Sequence, residues 1–382
     1  MKIAFVSIYN PSNRNARSGV PFSIYHQLKR KYEVEWIQPK CKGWIPSLML
    51  LANRIIEKVF RMFGKHVMQQ TFLRSYVYSK SVEHQILNKN FDALFFLDCV
   101  DYAFLNTSLP VFYRTDALTH AFIDYYAINV PCFSRKISRY IEERALSKCT
   151  ILFAPSEWVI DSIKKFKVPF PFKKVFLVHS GANIEPNYIK YRKHVYDISH
   201  ELNLLIVGYD IKRKGIIEAF ETTKLLNEKY NIRATLTVVG GKPEQYMLES
   251  GLVRYAGNKD KNDKKQYDEF YQEFYKADIF LFPTKVECHG IVNCEAAAYG
   301  LPIVSYLTGG VPSYCVNGYN GVCLPLSSKG KDFAKAIYNN IINGNMNKFS
   351  VNSRNFFLEK LNWECWGNVV FSQIEKSICK NE

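Results

Sequence analysis

The stretch LLIVGYDIKRKGIIEAFETTKLL, residues 204–226, contains one strand, one turn and one helix, and it decides the fold class. Four apolar residues lead to Gly208, a basic loop follows, and from Gly215 onward apolar residues recur at helical spacing. A strand that is buried on both faces of a parallel sheet reads as a continuous apolar run. The stretch therefore predicts a parallel strand followed by an amphipathic helix that starts at Gly215 and covers the sheet.

Similar apolar runs alternate with helix-length segments along the whole chain. The predicted strands are 2–9, 32–39, 93–99, 110–116, 151–156, 175–181, 202–208, 234–240, 252–257, 279–284, 303–306 and 322–326. Twelve strands are too many for one small sheet, and 382 residues fit about two domains. We therefore predict an α/β protein with two Rossmann-like, doubly wound parallel-sheet domains that face each other across a cleft. The first spans 1–188, the second 199–360, and the polar segment 187–201 is the linker.

The basic charge is concentrated in the first half of the chain. The formal net charge is +16, and 47% of the residues are hydrophobic, which excludes a disordered or collagen-like chain. Residues 1–200 contain 29 basic and 15 acidic residues, and the first 80 contain 14 and 3. This segregation indicates that the first domain faces an anionic partner or a membrane surface, and it argues against binding of nucleic acid along the whole length.

The cysteines and the apolar runs predict the compartment. The ten cysteines form no C-x-x-C pair and no zinc pattern, so we expect buried free thiols in a reducing cytoplasm. No apolar run reaches the ~18–20 residues of a membrane span, and the start of the chain reads as a strand rather than a signal peptide. Residues 44–80 mix large apolar residues with lysine and arginine. They read either as a helix on the inner face of an anionic membrane or as an ordinary helix pair packed on the sheet.

The segment PTKVECHGIVNCEAAAYGLPIVSYLTGGVPSYCVNGYNGVCLP, residues 283–325, is the strongest functional signal. Gly290 opens a helix through Ile291 and Val292, where backbone N–H groups favour an anion. Glu287 comes before this helix. Glu295 comes eight residues after Glu287 and lies inside the first turns of the helix. The carboxylate inside the helix is suited to hydrogen bonds from a ribose diol, and the one before it either to sugar hydroxyls or to stabilising positive charge. The alternative is that both glutamates are simply solvated.

The basic loop that follows Gly208 is predicted to bind a diphosphate. Lys212, Arg213 and Lys214 follow the carboxyl end of a strand and precede the helix that starts at Gly215. Fixed cations at such a position can neutralise a diphosphate without a metal ion. Lys214, next to the glycine, is the best single candidate.

The first domain offers three weaker candidates after its strands. Gly19 follows Ser18 at a helix start, where it either cradles a phosphate or hydroxyl or simply caps the helix. Asp116 and His120 follow Arg114 at the end of the fourth strand and are candidates for catalysis or sugar binding. A single histidine on a helix is also often structural.

At these residues the chain resembles the retaining glycosyltransferases of family 4, which have the two-domain GT-B fold. The resemblance rests on the E-x7-E element (Glu287 and Glu295), the Lys214–Gly215 pair, VHSGAN from residue 178 on and GLPIVS…GGVP. It implies that the second domain binds a nucleotide-diphosphate sugar and the first domain a hydroxyl-bearing glycan or lipid-linked acceptor. Glu295 would then hold the ribose, Glu287 the transferred sugar, and Lys214 with the amides of 290–292 the sugar and diphosphate.

The resemblance also implies a reaction and a setting. We expect metal-independent transfer with retention of configuration, no cofactor, and a role in surface polysaccharide or glycolipid assembly. Residues 361–382 resemble the final helix that crosses back to the first domain. The alternatives are a nucleotide-sugar epimerase on the same fold, which would turn over without an acceptor, and a basic nucleic-acid-binding protein.

Overall fold

The structure, a computed structural model, describes residues 1–40, 43–192 and 194–379. The chain divides into two compact units. The first comprises residues 1–179 together with those from Gly367 onward, and the second comprises residues 180–366. Each unit contains one six-stranded sheet in which all neighbouring strands are parallel.

The sheet of the first unit has the strand order β2-β1-β3-β4-β5-β6. Its strands are β1 (Lys2–Val6), β2 (Glu33–Ile37), β3 (Ala93–Phe96), β4 (Val111–Arg114), β5 (Ile151–Ala154) and β6 (Val175–Leu177). Its helices are α1 (Val20–Lys29), α2 (Trp44–Met62), α3 (Phe72–Ile86), α4 (Thr119–Phe122), α5 (Cys132–Lys148) and α6 (Glu157–Lys165). The order, in which the chain turns back beside its first strand, is that of a doubly wound sheet.

The sheet of the second unit has the order β12-β11-β10-β7-β8-β9, in which two strands, β8 and β9, lie on one side of its first strand β7 instead of the single strand β2 beside β1. Its strands are β7 (Leu202–Gly208), β8 (Ala234–Gly240), β9 (Val253–Gly257), β10 (Ile279–Phe282), β11 (Ile303–Tyr306) and β12 (Gly321–Leu324). The helices from here to the end are α7 (Ile211–Lys214), α8 (Ile216–Tyr230), α9 (Gln245–Glu249), α10 (Lys264–Lys276), α11 (Val292–Ala298), α12 (Gly330–Ile342), α13 (Asn345–Glu359) and α14 (Trp363–Ile378).

All twelve predicted strands are present, and the α/β class with two doubly wound sheets is confirmed. The apolar runs form strands because both faces of each sheet are buried. In the first unit, aromatic rings stack across neighbouring strands: Phe5 of β1 on Phe95 of β3, and Phe112 of β4 on Phe153 of β5, each pair with ring centres 6.3 Å apart. Burying each such ring contributes about 1.5–3 kcal/mol. Several predicted strands extend a few residues past the observed end; β3, for example, ends at Phe96, whereas the prediction extended to residue 99.

The segment 187–201, predicted as a linker, belongs to the second unit and is partly packed against it. Tyr196 is buried in the core of that unit and donates a hydrogen bond to the carbonyl oxygen of Asp278 (2.7 Å). Arg192 donates to the carboxylate of Asp278 (2.6 Å). The sequence reads as polar here, but its aromatic and charged side chains find partners on β10 and the turn before it.

The cysteine prediction is confirmed for part of the described chain. Nine cysteines are free thiols; those at 99, 149, 288, 294 and 315 are buried, whereas those at 132 and 379 are exposed. Cys41, the tenth, lies outside the described residues. Among the described residues, no helix has both the length and the apolar character that crossing a bilayer requires.

Candidate functional site

The three basic residues after β7 lie in a short helix, α7, so the prediction of a loop is wrong for 211–214 and holds only for residues 209 and 210. α7 forms because the side chain of Asp210 accepts a hydrogen bond from the backbone N–H of Arg213 (3.0 Å) and caps it. Gly215 then starts α8 in the left-handed region, with φ at 76°. A Cβ atom at Gly215 would lie 2.0 Å from the carbonyl oxygen of Pro283, so only glycine lets this turn contact the end of β10.

Glu287 lies beside two of the three basic residues. The Lys214 ammonium forms an ion pair with Oε2 of Glu287, and the Arg213 guanidinium lies 3.7 Å from the same oxygen. Arg213 also donates to the carbonyl oxygen of Val286 (3.0 Å), which fixes its position. Lys212, on the same turn, is exposed. The structure therefore brings Arg213 and Lys214 to Glu287 and leaves Lys212 in solvent.

The Lys214 side chain is largely removed from water. It is 13% exposed, and its ammonium lies 4.6 Å from the centre of the Phe282 ring. Gly208, at the end of β7, packs directly against the lysine methylenes. Burial lowers the pKa of Lys214 below the usual lysine value, and the Glu287 carboxylate acts in the opposite direction. A fixed cation in such surroundings attracts an anion more strongly than a solvated one.

The loop after β10 enters α11 as the sequence predicts. Gly290 has a left-handed backbone, Ile291 caps the helix and Val292 is its first residue. The backbone N–H of Asn293 donates to the carbonyl oxygen of Gly290 (2.9 Å), which closes the turn. The Asn293 side chain is fully buried, and among the described residues neither of its polar atoms has a hydrogen-bond partner.

Glu295 is fully buried, and its carboxylate is held on one side only. Its Oε1 accepts hydrogen bonds from the Lys261 ammonium (2.8 Å) and the Tyr271 hydroxyl (3.1 Å). Its Oε2 is buried and has no partner among the described residues. The Lys261 ammonium also lies 4.2 Å from the centre of the Phe270 ring. A buried carboxylate oxygen without a donor is costly, so it is a place where a ligand hydroxyl would be stabilising.

Lys261 and Tyr271 were missed by the sequence analysis. Lys261 lies in the polar run after β9, and Tyr271 on α10, 34 and 24 residues before Glu295 in the chain. Nothing local distinguishes this lysine from its neighbours Lys259 and Lys264. Only the tertiary fold selects it.

In the first unit, Asp116 is part of a charged cluster after β3 and β4. It forms ion pairs with Arg114 (2.5 Å) and Arg17 (3.3 Å), and Arg17 also pairs with Asp98 (3.2 Å). Arg17 has an unusual left-handed backbone that continues through Gly19. The neighbouring carboxylates raise the pKa of Arg17 against the effect of burial. Arg17 and Asp98 were not among the site residues predicted from sequence.

His120 lies on α4 and faces carboxylates of α5. Its ring nitrogens are 3.8 Å from Oε2 of Glu142 and 3.5 Å from Oε1 of Glu143. The buried Glu142 carboxylate also accepts hydrogen bonds from the backbone N–H of Thr119 (2.8 and 2.9 Å). These contacts place His120 where α4 packs against α5. Asp116 instead belongs to the charged cluster with Arg17 and Arg114.

The second unit is similar in sequence to a known protein family. Residues 193–355 match the sequence model of the family described as glycosyl transferases group 1. The matched range contains Arg213, Lys214, Lys261, Glu287 and Glu295. It covers most of the second unit and less than half of the chain.

Two curated relatives align with parts of the chain. The glycogen synthase of Mycobacterium tuberculosis is 29% identical over 136 residues, which are 33% of this chain and 31% of the synthase. The lipopolysaccharide glucosyltransferase WaaG of Escherichia coli is 27% identical over 148 residues, 36% of this chain and 37% of WaaG. The alignments thus span about a third of the length of these two relatives.

Solved structures match the whole chain. A sucrose-phosphate synthase from Thermosynechococcus elongatus superposes with a TM-score of 0.70 at 14% identity, and all of both chains is covered. The chain has the GT-B fold. A structure of WaaG agrees, with a TM-score of 0.63 at 18% identity over 96% of this chain and 98% of the other.

Proposed function

We propose that this protein is a glycosyltransferase that moves a sugar from a nucleotide-diphosphate sugar to a hydroxyl acceptor with retention of configuration. The observation that carries the proposal is Lys214, whose side chain is largely removed from water and is held with Arg213 beside Glu287 at the carboxyl ends of β7 and β10. This arrangement lies inside the segment that matches the glycosyl transferases group 1 family. In doubly wound sheets, ligands bind at this end of the strands.

Each part of the nucleotide-diphosphate sugar has a candidate partner in the second unit. Lys214 and Arg213 supply positive charge for the diphosphate, together with the backbone amides of 290–292. Glu287 accepts hydrogen bonds from hydroxyls of the transferred sugar. The partnerless oxygen of Glu295 accepts a hydrogen bond from a ribose hydroxyl.

The reaction breaks the bond between the anomeric carbon and the leaving phosphate oxygen, and it forms a bond from that carbon to the acceptor oxygen. Negative charge grows on the leaving diphosphate, and the Lys214 ammonium stabilises it by roughly 3–4 kcal/mol if it is well placed. The leaving phosphate oxygen takes the proton of the acceptor hydroxyl. In this scheme attack occurs on the face from which the phosphate departs, so configuration is retained and no protein base is needed.

We propose further that the reaction needs neither a metal ion nor a cofactor. The positive charge that a cation would otherwise provide comes from the side chains of Arg213 and Lys214. Turnover in excess EDTA should therefore equal turnover in magnesium-containing buffer. Loss of turnover in EDTA with recovery on adding magnesium would contradict this part of the proposal.

We place the acceptor on the first unit. The cluster of Arg17, Asp98 and Asp116 offers both charges to a glycan or lipid-linked acceptor. Because WaaG is named for lipopolysaccharide, we propose surface polysaccharide or glycolipid assembly at the cytoplasmic face of a membrane. Asp116→Asn should then raise the KM for the acceptor and leave the KM for the donor unchanged.

The proposal is tested with the purified chain and a panel of UDP-, GDP- and ADP-sugars. A donor at about 100 times its Kd should stabilise the protein by about 2.7 kcal/mol and raise its Tm by about 3 °C. Glu295→Ala and Lys214→Ala should keep the fold and abolish turnover.

Two outcomes would contradict the proposal. Wild-type turnover in both alanine variants would remove the assigned site. Conversion of the bound donor to its epimer in the absence of any acceptor would identify an epimerase instead.

A further inference from the structure

Helix α2 presents an apolar face to solvent along its whole length. None of its 19 residues, all of which the structure describes, is buried. Its large apolar side chains recur every three or four residues, which places them on one side of the helix. Between 44 and 78% of each of these side chains is exposed: Trp44, Leu48, Leu51, Ile55, Val59 and Met62. Such a continuous apolar face is unusual on a folded protein and marks a binding surface.

The opposite side of α2 attaches the helix to the first unit. The side chain of Asn53 accepts a hydrogen bond from the Thr71 hydroxyl (2.7 Å), and the Phe60 ring lies 5.0 Å from that of Phe133. At 100° per residue, Asn53 and Phe60 project away from Leu48 and Ile55. The apolar face therefore points to solvent, while the side with Asn53 and Phe60 contacts the first unit. The face is thus not a loosely packed part of the core.

Basic residues flank the apolar face. Arg54, Lys58 and Arg61 are exposed and lie together on one side of it. The single acidic residue of α2, Glu57, is paired with Arg61. An apolar stripe bordered by lysine and arginine fits the interface of an anionic bilayer, where chains and headgroups meet. A second copy fits less well, because it would bring the two basic borders together.

We infer that α2 lies in the headgroup region of an anionic membrane, with its axis parallel to the membrane surface. The side chains of its apolar face are inserted by about 5–10 Å. The basic border contacts the lipid phosphates. This goes beyond the proposed function, because vesicle binding by the first unit would hold whatever reaction the second unit carries.

The test is flotation of the purified full chain with vesicles. The protein should float with vesicles of phosphatidylglycerol and phosphatidylcholine in about equal amounts and not with phosphatidylcholine alone, because cations attract only the anionic surface. Arg54→Gln and Lys58→Gln should each lower the partition coefficient about fivefold. The double variant Leu51→Glu, Ile55→Glu should lower it more than about tenfold.

The matched control is Leu358→Glu, which places the same charge on an exposed leucine of α13 in the second unit. It should float as the wild type does. Equal thermal unfolding of all variants checks that the fold is kept, as expected for exposed positions. The inference is overturned if the wild type stays unbound at low salt, or if the α2 double variant floats as well as the control. It is also overturned if α2 instead holds a dimer that the double variant dissociates.

Discussion

Lys214 determines how activity should depend on pH. Its ammonium form is the active one in the proposed reaction, and burial lowers its pKa. The side chain therefore loses its proton at lower pH than an ordinary lysine, so turnover should fall as pH rises through that lowered pKa. Lys214→Arg keeps its charge throughout this range. We expect kcat/KM to decline at alkaline pH in the wild type and not in Lys214→Arg. The same decline in both would assign it to another group.

Lys261 should stabilise Glu295 and prepare it for the donor. Lys261→Met leaves the fully buried carboxylate without its cation, which should cost about 3 kcal/mol or more of stability and raise the donor KM. Adding Glu295→Gln should restore much of the stability, because the unpaired charge is then gone.

The control for this prediction is Lys259→Met, which removes an ion pair with Glu269 from the same loop. Its effect on the donor KM should be negligible. If Lys259→Met and Lys261→Met change stability and KM equally, Lys261 has no special relation to Glu295.

At the scale of elements, the contact between the turn before α8 and the end of β10 forms the site. Gly215→Ala should destabilise the protein by more than about 2 kcal/mol, because left-handed strain adds to a clash with Pro283. Gly251→Ala has similar strain, with φ at 72°, and no described atom lies within 4 Å of its new Cβ. It should cost about 1 kcal/mol. Urea unfolding of both variants measures the difference, and equal losses would refute the contact.

The elements themselves were largely predictable from sequence. Apolar runs such as 202–208 and 234–240 match the observed strands residue for residue, because both faces of each strand are buried. The capping of α7 by Asp210 was missed, since four residues are too few for a helical period. Arg213, Lys214 and Glu287 were selected because they follow strand ends, but their pairing with one another was not predicted. The contact between Lys261 and Glu295 was not predicted either, because it joins segments that are 34 residues apart in the chain.

At the scale of the molecule, the charge distribution and the two sheets suggest different tasks for the two units. The exposed helix α2 with its basic border belongs to the first unit, and the half-buried Lys214 belongs to the second. The assignment of acceptor binding to a domain of residues 1–188 and of donor binding to a domain of residues 199–360, with a final helix from residue 361, remains a prediction. A variant at Lys214 should thus lose donor binding and keep vesicle binding, and the double variant at Leu51 and Ile55 should show the reverse.

Calorimetric titration of UDP, GDP and ADP into the full chain in excess EDTA measures directly whether the second unit binds a nucleotide diphosphate without a metal ion. We predict that one of them binds, and that Lys214→Ala and Glu295→Ala each weaken this binding by at least about tenfold, which corresponds to 1.4 kcal/mol. The account is contradicted if no nucleotide binds without a metal ion, or if both variants bind it as the wild type does.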